Sequence, residues 1–167
     1  MAGTDIATFD IPENPLDHVE ALAETHAWPL SRISEDEAHM VIAAHDAELH
    51  LSLSWDPHTE LLQLACMFAF RRPARRSPEI DRLLRMINAR LALGHFDLWP
   101  KDNLIVYRSS LPLSGGALAE PAQCEALIAH ALKSCEQYYP AFQFVLWAGK
   151  SAREAIDACL FETVGEA

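Results

Sequence analysis

Residues 47–70 constrain this chain more than any other stretch. Before the turn Asp56-Pro57-His58-Thr59, Leu49, Leu51, Leu53 and Trp55 alternate with Glu48, His50, Ser52 and Ser54. That is the period-2 pattern of a strand with one buried face. After the turn, residues 61–70 are apolar except Gln63, which predicts a central strand covered on both faces. A long amphipathic helix is predicted directly afterwards, so the unit is an antiparallel sheet with a helix laid across it. This best-specified stretch contains no reaction centre.

The flanking segments extend the same plan. Residues 1–12 show no periodicity and are expected to form a flexible N-terminal arm, leaving 13–167 as a single domain. Asn14-Pro15-Leu16-Asp17 opens a helix: Asn14 can cap, Pro15 suits the first helical position, and Asp17 faces the positive end of the dipole. Pro29 stops it near Ala27. Short strands follow around residues 30–33 and 38–44, so the hairpin completes a meander of three or four strands. In the second helix Ser77 caps, Ile80, Leu83, Leu84, Ile87 and Leu91 recur at helical spacing, and Gly94 is placed as the left-handed C-terminal cap. Strands at 95–99 and 104–111 flank Pro100-Lys101-Asp102-Asn103, a turn sequence. A third helix runs from about Pro121 to Tyr139, where Pro140 either kinks it or separates it from 142–147. Ser151-Ala152-Arg153-Glu154 is a capping box that opens a last short helix through Leu160.

Composition narrows the function classes. The 167 residues are 50% hydrophobic and 22% charged, as in an ordinary globular domain. The longest apolar stretches, 61–70 and 141–149, are too short to span a bilayer as helices. The first ten residues carry acids where a secretory signal would need a basic segment, so the expected location is cytoplasmic and away from membranes. Charge is uneven: residues 1–70 total −12 with Arg32 the sole base, 71–90 total +5, and 91–167 total −4. A net charge of −11 argues against nucleic acid as a partner. Cys66, Cys124, Cys135 and Cys159 show no C-x-x-C pairing and are expected to be buried free thiols. Cys124 and Cys135 share a helix face but lie about 16 Å apart along its axis, too far to bond.

Candidate chemistry is sparse. Eight histidines invite a metal, but His18 and His26 are two turns apart, about 12 Å. His95 and Asp97 point the same way on a strand without a further ligand nearby, so no metal or cofactor is expected. No G-x-S-x-G occurs, and Ser114-Gly115-Gly116 lacks phosphate-loop spacing. No complete set of catalytic roles can be assembled, and the chain is expected not to be an enzyme. Trp28, Trp55, Trp99 and Trp147 could anchor an interface, but core packing is the expectation for each. Arg71, Arg72, Arg75 and Arg76 are the sharpest local anomaly. They form either an anion or partner-binding site or a solvated loop paired with the acidic first half.

On Asn14-Pro15-Leu16-Asp17, residues 50–55, Leu64-Ala65-Cys66, Gly94-His95-Phe96-Asp97-Leu98-Trp99, and the tail 139–147 with Gly149-Lys150-Ser151, the chain resembles the bacterial YbjN family. That group is type III secretion chaperone-like and labelled as sensory transduction regulators. The resemblance implies an α+β fold, a two-layer α/β sandwich with helices packed on an antiparallel sheet in the order α-β-β-β-α-β-β-α. It further implies a small acidic homodimer holding an extended partner segment across hydrophobic surface, with no catalytic residues and no cofactor. The expected function is a non-enzymatic protein-binding module, chaperone-like or regulatory. The alternative is a small-ligand or anion sensor using the Arg71–Arg76 cluster.

Overall fold

The computed structural model describes residues 14–68, 77–99 and 101–164. Helix α1 (Pro15–His26) is followed by four strands: β1 (Leu30–Ser34), β2 (Glu37–Ala43), β3 (Glu48–Asp56) and β4 (Leu61–Phe68). Then come α2 (Pro78–Asn88), β5 (His95–Trp99), β6 (Leu104–Pro112), α3 (Pro121–Leu146) and α4 (Ala152–Val164). The described strands form one antiparallel sheet in the order β1-β2-β3-β4-β6-β5. The meander therefore has four strands, and α4 follows the last helix of the expected order.

Alternation along the strands separates two faces. Met40, Leu51, Leu53, Leu64, Cys66 and Tyr107 point inward and are at most 2% exposed. Fully burying such a side chain stabilises by about 1.5–3 kcal/mol. Helices α1 and α3 cover this inner face, while α2 packs against β5 and α4 against both α2 and α3. An aromatic cluster sits beneath them: Phe142 lies 5.8 Å from Phe68 and 5.4 Å from Phe96 between ring centroids. No helix among the described residues is long and apolar enough to cross a membrane.

Local chemistry explains the element ends. Asn14 Oδ1 accepts from the Leu16 N–H at 3.0 Å, capping α1, while its Nδ2 donates to the Glu35 carbonyl in the β1–β2 turn at 2.9 Å. Arg32 fastens the same corner: its guanidinium meets Asp17 at 3.3 Å and Glu20 at 3.0 Å on α1, and its Nε donates to the Ser34 carbonyl. At α4 the expected capping box is present. The Ser151 N–H donates to Glu154 at 2.9 Å and the Glu154 N–H to Ser151 Oγ at 3.3 Å. These Ser151 bonds hold the Glu154 carboxyl below its ordinary value, because they favour the charged form. Glu79 of α2 then accepts from the Ala152 N–H at 2.7 Å, fixing α4 against α2.

Three expectations are corrected or resolved. Strand β4 is central but covered on one face only: Leu62, Leu64, Cys66 and Phe68 are buried, Leu61, Ala65 and Met67 half-buried, and Gln63 exposed. The apolar run had concealed an ordinary alternation. Helix α2 ends at Asn88, so Gly94 is not its cap; it has φ +70° in the turn that enters β5. The helix stops early because the Asn88 side chain turns to β5. Its Nδ2 donates to the Phe96 carbonyl at 2.9 Å, and its Oδ1 accepts from the Phe96 N–H at 2.8 Å. Pro140 neither ends nor separates α3, which runs unbroken to Leu146. An interior proline costs about 3 kcal/mol, and the full burial of Ala141 and Phe142 just beyond it offsets that cost.

All four cysteines are buried with free thiols. Cys124 and Cys135 both lie on the inward side of α3, and Cys135 meets Cys66 of β4. The hydrogen bond between those two thiols, with burial, pushes the Cys135 thiol far up.

Candidate functional site: the outer face of the sheet

Among the described residues every helix lies on the inner side of the sheet; the outer face carries no described helix, although Val106 of β6 is fully buried there. Strand register fixes what it presents. One row crosses β3, β4, β6 and β5 as Ser52, Ala65, Arg108 and His95. The next row is Ser54, Gln63 and Ser110. Small side chains in the middle and longer ones at the side leave an open trough of about 560 Å³, walled by His95, Trp99, Arg108 and the Leu93-Gly94 turn.

The turn that forms this wall is built tightly. The Tyr107 hydroxyl donates to the Leu93 carbonyl at 2.8 Å and lies directly against Gly94, and burial pushes its ionisation up. The border strand β5 is also occupied on its own side. Asn88 takes the Phe96 N–H, and Asp97 Oδ1 accepts from the Leu98 N–H at 2.8 Å. Such side-chain bonds blunt a sheet edge against strand addition.

Electrostatically the face is lopsided. Glu37 is hydrogen-bonded to His39 at 2.9 Å and Glu48 to His50 at 2.8 Å. Asp56 accepts from the Thr59 hydroxyl at 2.7 Å and the His58 N–H at 2.9 Å, which hold its carboxyl below the ordinary value. Asp97 is taken by Leu98. Arg108 is exposed, and among the described residues no acid pairs with it.

The residues singled out from sequence are scattered. His95 lines the trough, whereas Asp97 shares its strand face but stands outside the lining. No group of three His, Cys, Asp or Glu side chains among the described residues could hold a metal ion. Arg71, Arg72, Arg75 and Arg76 lie outside the described residues. Trp55 packs in the core, Trp28 stacks on His26 at 4.3 Å, Trp99 is half-buried at the trough, and Trp147 is exposed. The trough lining is more polar than the hydrophobic surface implied by the resemblance. Of the large exposed apolar side chains among the described residues, Leu93 lines the trough, whereas Ile33, Leu118 and Phe161 lie away from it. Sequence reasoning missed Arg108, Ser110 and Gln63 as one site. The available signal was the polar half of each strand's alternation, meaningful only once four strands were in register.

Comparison with known proteins places this architecture. A chain in the crystal structure of the ExsC–ExsE complex superposes with a TM-score of 0.56 at 15% identity, covering 77% of this chain and 94% of that one. The fold is thus an α+β sandwich of the type III secretion chaperone kind. Escherichia coli YbjN, reported as "a putative transcription regulator", aligns with a TM-score of 0.45 at 12% identity over 74% of this chain and 93% of its own. Residues 15–144 match the family model YbjN, "Putative bacterial sensory transduction regulator", and the chain belongs to that family. The match ends within α3, so α4 lies beyond it. A search of curated proteins by sequence finds no match.

Proposed function

We propose that this protein is a cytoplasmic, non-enzymatic protein-binding module, chaperone-like or regulatory, that works as a homodimer and receives its partner on the outer face of the sheet. The observation that carries the reading is the open trough on the outer face, whose polar floor has its hydrogen-bonding groups turned to solvent while all described helices pack behind the sheet. The chaperone of the ExsC–ExsE complex shares the fold, which supports a protein partner by analogy of architecture. Affinity capture from the parent cell tests it. A specific protein should be retained by the wild type and lost when Ser54→Trp fills the trough, with melting unchanged. Recovery of no such protein under several growth conditions overturns the binding role. Light scattering should give twice the 18.6 kDa chain mass at micromolar concentration; a clean monomer overturns the dimer.

The second reading, an anion sensor using Arg71, Arg72, Arg75 and Arg76, is favoured by the concentration of seven arginines in residues 71–90 of an otherwise acidic chain. Inorganic phosphate should then raise the melting temperature, and serine at all four positions should remove that shift. An unchanged shift dismisses the cluster as the site.

A further inference from the structure

We infer that the trough on the outer face recognises an extended polypeptide segment carrying a carboxylate, with Arg108 as its anchor. This rests on the docking role proposed above and names the chemistry of the partner.

Charge is the first argument. Arg108 is the sole Lys or Arg on the outer face among the described residues, and it stands in the row Ser52, Ala65, Arg108, His95. The four acids of that face, Glu37, Glu48, Asp56 and Asp97, are each held by an internal donor. The guanidinium is thus left for an incoming anion, and its planar fork suits a carboxylate taken through two parallel bonds. The net charge of −11 does not cancel this attraction at close range, because charges beyond about 8 Å are screened at physiological salt.

Shape selects a chain over a small molecule. Small-ligand sites enclose most of their ligand, whereas this trough is open along its outer side. Its floor spans β3 to β5, four strands at about 4.8 Å spacing, or roughly 14 Å. That is the length of about four extended residues. Ser52, Ser54 and Ala65 are short enough to let a backbone lie close, and the serine hydroxyls and Gln63 can bond to its amides.

A random decapeptide array probed with the full-length protein, its Arg108→Gln variant and its Ser54→Trp variant tests this. Arg108 is exposed, so Arg108→Gln should melt as the wild type does. Wild-type binders should favour Asp or Glu over Asn or Gln, with Glu→Gln in a binder weakening it about tenfold. Arg108→Gln should erase that preference. Acid preference that survives Arg108→Gln, or no acid preference among binders lost with Ser54→Trp, overturns the carboxylate inference while leaving the docking face in place. Binders indifferent to both variants, or no binders, overturn the docking face too. If instead either variant turns a dimer into a monomer by light scattering, a second copy occupies the trough and the inference fails.

Discussion

Gly94→Ala is expected to lower the melting temperature by roughly 6–12 °C. Gly94 has φ +70°, a region in which an L residue is strained by about 1–2 kcal/mol. A Cβ there would sit 2.3 Å from the Tyr107 hydroxyl oxygen and 2.7 Å from the Arg108 carbonyl. The tyrosine is fully buried and its hydroxyl is tied to Leu93, so it has nowhere to retreat. Overpacking of this kind adds about 1–3 kcal/mol, for a total near 3 kcal/mol. Thermal melting followed by circular dichroism would measure it. A melting point within a degree or two of the wild type would show that β5 and β6 do not close over this turn as described. Because Gly94 also walls the trough, the same substitution should weaken partner binding at temperatures where the variant is still folded.

Asn88→Ala should cost about 3 kcal/mol by urea denaturation, since it leaves the half-buried Phe96 N–H and carbonyl both without their partner. Asn88→Asp is the sharper test. It keeps an acceptor for the Phe96 N–H but sets a carboxylate against the Phe96 carbonyl, so it should fare no better than alanine. Wild-type stability in the aspartate variant would sink the two-sided grip. Either variant uncovers the border strand, and both should aggregate faster on warming than the wild type.

Legibility followed the range of the forces involved. The Asn14 cap, the Ser151–Glu154 box and the alternation of β3 depend on residues a few positions apart, and all were readable from sequence. The outward side of β4 was misjudged because Leu61, Ala65 and Met67 are apolar or small although half-buried. The end of α2 was misjudged because Leu91 continues the helical period, while the bond that ends the helix joins Asn88 to Phe96 in another element. The proposed docking site was illegible for a stronger reason. Ser52, Ala65, Arg108 and His95 become neighbours only through three strand pairings, and register of that range is a property of the whole sheet.

Odd and even positions along β3 and β4 have different tasks: one set keeps the chain folded, the other meets the outside world. Leu53 can stay fixed while its neighbours Ser52 and Ser54 change freely. A lineage built on this plan could therefore acquire new binding preferences by swapping surface residues one at a time, without eroding the scaffold beneath them.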